Sequence, residues 1–167
     1  TASVLDPCCG DGNLLVSAYQ RKKYLQHDVQ YTHNQILNDI TGIDIDPNLI
    51  QLSAFKLIGQ DLNSVDSETQ TNLSAHDFIL SDDDNAYDAV VMNPPYLRNE
   101  DLSAKDKENW LDSIESTCEN ESFIRKVSQP NQYYYFIEKA IKKLSDNGVG
   151  AFILMSKFLN NKDGAPL

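Results

Sequence analysis

The run Tyr87-Asp88-Ala89-Val90-Val91-Met92, closed by Asn93-Pro94-Pro95-Tyr96, limits the fold of this 167-residue chain more than any other segment. A continuous apolar stretch rich in β-branched residues is typical of a central strand buried on both faces of a parallel sheet. Two consecutive prolines cannot continue a sheet interior, because neither offers a backbone N–H to the ladder. The strand therefore stops at Asn93, and a rigid turn follows.

Around this strand, apolar runs alternate with helix-period segments. Ser3 to Leu5 reads as a strand, and a helix with apolar Leu14, Leu15, Ala18 and Tyr19 ends near Lys22-Lys23, where cations suit a helix C-terminus. Residues 24–38 are polar and read as a long connection. Ile40 to Ile45 is a strand, and Asp46-Pro47 starts a helix to about Leu57 with Asp at N-cap and Pro at N1. Asn72 to Ala75 forms a short strand. Residues 97–129 are polar and charged, with a helix around Leu102 to Ile114. A last helix, Tyr133 to Leu144, is stopped by Asp146-Asn147-Gly148 before a strand over Val149 to Met155. Strands separated by helices imply an α/β fold whose parallel sheet binds ligands beyond the carboxyl ends of its strands.

The unusual sequences all sit at such ends. After the first strand, Asp6-Pro7-Cys8-Cys9-Gly10-Asp11-Gly12 opens a helix, and its two glycines let the backbone approach a ligand closely. A dinucleotide fingerprint needs a third glycine where Leu15 stands, and the phosphate loop Gly-Lys-Ser/Thr is absent. A tight strand-to-helix turn remains the plain alternative. Asp44, at the end of the second strand, can accept both ribose hydroxyls of a nucleotide-like ligand, whereas Asp46 is explained as an N-cap. Asp77 can accept from an exocyclic amino group while Ile45 and Phe78 sandwich a purine ring; equally, Asp77 can be a surface residue like Asp82, Asp83 and Asp84. In Asn93-Pro94-Pro95-Tyr96, the Asn side-chain oxygen and the Pro94 carbonyl can both accept from one NH2 group. The Pro94-Pro95 backbone fixes their direction, and Tyr96 offers a flat surface for stacking.

Taken in order, these motifs resemble the S-adenosylmethionine-dependent DNA N6-adenine methyltransferases of restriction-modification systems. Asn131 to Phe136 and Gly148 to Met155 also resemble the helix and strand that follow the tetrapeptide in that family. The resemblance implies a Rossmann-like class I methyltransferase sheet, mostly parallel, flanked by helices on both faces and truncated at both ends. Residues 1–167 would form one partial catalytic domain with a polar helical insertion at about 97–129. Asp6, Pro7, Cys8, Gly10 and Gly12 would bind the cofactor, with Asp6, Gly10 and Gly12 along its methionine part. Asp44 would hold the ribose, Ile45 and Phe78 the adenine ring, and Asp77 the cofactor's N6 amino group. Asn93, Pro94, Pro95 and Tyr96 would be catalytic, the first two holding the target amino group and Tyr96 stacking on a flipped-out base. Direct methyl transfer needs no covalent intermediate, so Cys8 and Cys9 have no nucleophilic role. The family often places a second aromatic after the last of these strands, and Phe158 is the candidate here.

Three other readings stand beside this one. The same tetrapeptide suits a glutamine amide in a protein substrate, or an amino group in RNA, and a fragment of this size can lack activity altogether. The formal net charge of −11 argues against nucleic-acid binding by these residues alone. Most of it comes from residues 61–96, with 8 acidic side chains and no basic one, so DNA contacts are expected from target-recognition segments elsewhere. Restriction-system subunits or a fused nuclease are the other expected partners. No apolar run of about 18 residues suits a membrane, and Cys8, Cys9 and Cys118 lack metal-ligand spacing. That pattern points to a reduced, cytoplasmic setting without a metal. His27, His33 and His76 read as structural or solvated residues.

Overall fold

The computed structural model describes residues 2–25, 30–82, 84–116 and 122–155. His27, Cys118 and Phe158 lie outside the described residues. The elements run β1 (Val4–Asp6), α1 (Asn13–Tyr24), α2 (His33–Asn38), β2 (Ile40–Asp44), α3 (Pro47–Ile58), β3 (Asn72–Ala75), β4 (Tyr87–Met92), α4 (Ala104–Ser116), α5 (Gln132–Lys142) and β5 (Leu144–Phe152). All pairings are parallel, in the order β3-β2-β1-β4-β5, so the first strand is central and the chain reverses its direction of growth between β1 and β4. Register is set by Val4 opposite Ile40 on one side and Ala89 on the other. A reversal of this kind opens a crevice at the carboxyl ends of the two strands.

Alternation along the strands divides the core into two layers. Ile40 and Gly42 face α1, α2 and α3, where Leu15, Tyr19, Ile36, Leu37 and Leu57 are buried. Leu5, Ile43, Val90 and Met92 belong to the other layer, with Trp110 and Ile114 of α4 and Tyr133 to Ile137 of α5. Helices thus cover both faces, the α/β arrangement expected. The Asp46 side chain accepts from Asn48 N–H at 2.8 Å, with Pro47 beginning α3.

Three segments differ from the sequence reading. Residues 24–38 are more than a polar connection, because Thr32 and Gln35 form a capping box for α2, which buries His33, Ile36 and Leu37. The His33 ring meets the Tyr19 hydroxyl through Nδ1 at 2.7 Å, so this histidine is structural. The charged stretch after the tetrapeptide contributes Leu102, Trp110, Ile114, Ile124 and Val127 to the core, and its packing explains how α5 can bury three consecutive tyrosines. Finally, α5 ends at Lys142, and Asp146-Asn147-Gly148 lies within β5. There Tyr87 pairs with Leu144 but Ala89 with Val149, so the turn-forming residues make an irregularity in the strand instead of ending the helix. The ladder reaches Ile153, whose N–H donates to Met92 carbonyl at 2.9 Å, short of Met155.

Candidate functional site

The turn after β1 is braced by the end of β2. Asp44 accepts from Gly10 N–H at 2.8 Å through one oxygen and from Asp46 N–H at 3.0 Å through the other. Cys9 N–H donates to the Ile43 carbonyl at 2.8 Å, and Ser53 Oγ donates to the Gly10 carbonyl at 3.0 Å. Gly12 has φ +85°, and a Cβ there would lie 2.5 Å from Ser53 Oγ, so a side chain is excluded by conformation and space together. Gly10, at φ +53°, faces no such neighbour.

Asp6 is 1% exposed, with Cys8 N–H donating to it at 3.1 Å. Burial, reinforced by the nearby Asp44 carboxylate, pushes its pKa up to about 7. Burial also raises the Cys8 thiol, with Asp6 and Asp44 adding to the effect, and pushes Cys9 up to about 12. Both thiols stay protonated at neutral pH, which suits packing and not nucleophilic attack.

A cleft of about 470 Å³ joins the four strand ends. Pro7 and Cys8 border it from β1, Asp44 and Ile45 from β2, Asp77 and Phe78 from β3, and Asn93 and Pro95 from β4. Its volume is in the range of small-molecule sites. Ile45 is 74% exposed, whereas Phe78 is 2% exposed and sits 5.9 Å, centroid to centroid, from Phe136. Asp77 accepts from Ile79 N–H at 2.8 Å and from Trp110 Nε1 at 3.1 Å, so its carboxylate already orders the loop and the indole. The buried Lys139 ammonium fastens the same loop by donating to the Ile79 and Ser81 carbonyls, each at 2.6 Å. Asp6, Gly10, Gly12, Pro94 and Tyr96 stand behind or beside the cleft instead of lining it.

The β4 end is held differently. Cys8 Sγ donates to the Asn93 carbonyl at 3.4 Å, and Pro94 is buried while the Asn93 side chain is exposed. The Tyr96 hydroxyl donates toward Asn93 Oδ1 at 2.8 Å and the Ile153 carbonyl at 2.6 Å, one proton between two acceptors. Burial and the neighbouring Cys8 raise its pKa, so it remains a donor. Tyr96 is 39% exposed, its ring tilted against Tyr133 at 6.3 Å. In this arrangement Asn93 Oδ1 shares the Tyr96 proton with the Ile153 carbonyl and keeps a lone pair for an incoming NH2 group.

His76, read from the sequence as structural or solvated, also lines the cleft, as do Leu97 and Trp110 and, from the segment Asn131 to Phe136, Gln132 and Phe136, none of which the sequence assigns a role. The available signals are the single Trp in a polar stretch and the four-residue spacing of Gln132 and Phe136 on one helix. Among the described residues there is no cluster of metal-binding side chains, and no helix is long and apolar enough to cross a membrane.

Comparison with known proteins gives a consistent family. The chain matches the Eco57I restriction-modification methylase family over residues 38–167. It is 35% identical over 101 residues to the type II methyltransferase M.AccI of Acinetobacter calcoaceticus, an overlap of 59% of this chain and 17% of that protein. The type II methyltransferase M.BanIII of Aneurinibacillus aneurinilyticus is 28% identical over 175 residues, covering 96% of this chain and 26% of its own length. The chain spans between 17% and 31% of the curated relatives it matches. The type IIG restriction endonuclease BpuSI shares the fold with a TM-score of 0.74 at 22% identity, over 95% of this chain and 17% of that one. A Listeria monocytogenes protein assigned to the class I S-adenosylmethionine-dependent methyltransferases shares it with a TM-score of 0.65 at 24% identity, over 99% and 42% of the two chains.

Proposed function

The chain belongs to the Eco57I restriction-modification methylase family, and from that membership we propose that it carries the catalytic core of an S-adenosylmethionine-dependent DNA N6-adenine methyltransferase. The observation that carries this reading is the position of Asn93-Pro94-Pro95-Tyr96. It follows β4, and its Asn93 and Pro95 border the same cleft as Asp44 and Asp77, which supports an amino-group site beside a nucleoside site.

The residues fit the cofactor. Gly10 leaves open space at the first turn, and Asp44 retains lone pairs beside its two backbone bonds for ribose hydroxyls. Buried Asp6 offers negative potential next to a cationic ligand, and such a cation would draw its pKa back down. Ile45, Phe78, Pro95 and Phe136 supply apolar surface for a purine. When bound, S-adenosylmethionine supplies an electrophilic methyl group that leaves its sulfonium sulfur as the new nitrogen–carbon bond forms.

The chain's own residues address the weakness of the nucleophile, whose lone pair is delocalised into the adenine ring. Asn93 Oδ1 and the Pro94 carbonyl accept the two amino hydrogens, drawing the nitrogen toward tetrahedral geometry, and positioning supplies much of the rate. The Tyr96 ring stacks on the extruded base, offsetting part of the few kcal/mol that flipping costs. Residues 1–167 act here as one partial catalytic domain. With 8 acidic and no basic side chains over residues 61–96, phosphate contacts come from other parts of the protein or its partners.

The test is transfer of an isotopically labelled methyl group by the full-length protein, with the product nucleoside identified by mass spectrometry. N6-methyladenine in DNA is the expected product. Label on cytosine, on RNA or on a release-factor glutamine would overturn the assignment.

A further inference from the structure

Gln132 begins α5, and its side-chain oxygen is buried without a hydrogen-bond partner among the described residues. Buried polar groups in folded proteins are nearly always paired, and one left unpaired is costly. Its backbone is fixed, since Gln132 N–H donates to the Leu97 carbonyl at 3.0 Å, just beyond the tetrapeptide. The residue lines the same cleft as Asp77, Phe78, Trp110 and Phe136. Asp77, a carboxylate lining the same cleft, already accepts from Ile79 N–H and Trp110 Nε1. Gln132 therefore brings an unpaired amide oxygen to the cleft where the purine is proposed to lie.

An amide presents an acceptor and a donor side by side. The adenine edge presents the complement, an amino N–H next to a ring nitrogen, and this match underlies bidentate recognition of adenine by Gln and Asn. The amino group has two hydrogens, so Asp77 and Gln132 can take one each. We propose that Gln132 is a specificity-determining residue that reads the amino edge of the cofactor's adenine. This rests on the cofactor reading given above.

The same geometry predicts opposite effects on stability and on binding. Replacing Gln132 by Met keeps the length of the side chain and removes the unpaired oxygen, so the ligand-free protein should gain thermal stability. Selectivity should fall. The experiment is calorimetric titration of the full-length protein with S-adenosylhomocysteine and with its analogue bearing hydrogen in place of the C6 amino group. Wild type should favour the amino compound, and Gln132→Met should shrink that preference by roughly tenfold or more, mainly through weaker binding of the amino compound. Gln132→Leu, a second apolar replacement, should do the same, so a folding defect in one variant leaves the other to decide. A preference unchanged within about twofold in a folded variant would overturn the role of Gln132 while leaving the cofactor reading intact. Wild type that binds neither compound would overturn both.

Discussion

Around the ends of β1 and β2, the turns are tied by main-chain donors and by a serine from the next helix: Gly10 and Asp46 both donate to Asp44, Cys9 to Ile43, and Ser53 to Gly10. Across the same cleft, at the end of β4, Asn93 exposes its side chain, and its oxygen is contacted by the hydroxyl of Tyr96. The first rim is set before any ligand arrives. The second holds its acceptor only through a shared hydroxyl proton, a contact that can exchange through rotation of one side chain. A site that must bind one ligand and react with another gains from this division, because preorganised groups bind without an ordering cost while the exchangeable contact holds the reacting acceptor until its partner is present.

The largest expected effect breaks the second rim alone. Asn93→Ala removes an acceptor for the target amino group, and single-turnover methyl transfer should fall by about 10²–10³. A pH titration addresses the first rim. The Asp6 pKa stands at about 7 in the folded chain against 3.8 for an ordinary aspartate, because of burial and then Asp44. Between those values the native state keeps a proton that the unfolded chain has lost, so stability falls as pH rises, by up to about 1.4 kcal/mol per unit. Denaturant unfolding of wild type beside Asp6→Asn should show wild type losing ground from pH 4 to 7 and no further change above.

Smaller effects sharpen the contrast. Gly12→Ala forces a side chain into φ +85° against Ser53 and should cost about 1–3 kcal/mol of stability, with weaker cofactor binding by calorimetry. Gly10→Ala, with open space at φ +53°, should cost less. Tyr96→Phe keeps the stacking ring and loses only the hydroxyl that contacts Asn93, so single-turnover rates should change by less than about fivefold, in keeping with one neutral hydrogen bond.

The strand β4 and its terminal tetrapeptide were legible in the sequence because two prolines must end a strand, and α3 because Asp46-Pro47 can hardly be anything but a helix start. The strand-end positions of Pro7, Cys8, Asp44, Ile45, Asp77, Phe78, Asn93 and Pro95 around one cleft follow from parallel topology alone. Other features depend on contacts between distant segments. Helix α2 is short, and its capping box is masked by the surrounding polar residues. Trp110 and Gln132 reach the cleft only because α4 packs on α5 and Gln132 bonds to Leu97, neither of which any local periodicity encodes. The hydroxyl that contacts Asn93 is shared with the Ile153 carbonyl just after β5, 57 residues from Tyr96.

The most direct test of the division between the two rims is the cofactor dissociation constant of Asn93→Ala, measured by calorimetry beside Asp44→Ala and wild type. The predicted result is an affinity within about twofold of wild type for Asn93→Ala and a loss of about tenfold or more for Asp44→Ala, since only the second removes a charged acceptor from the binding rim. Equal losses in the two variants, or a loss confined to Asn93→Ala, would contradict it.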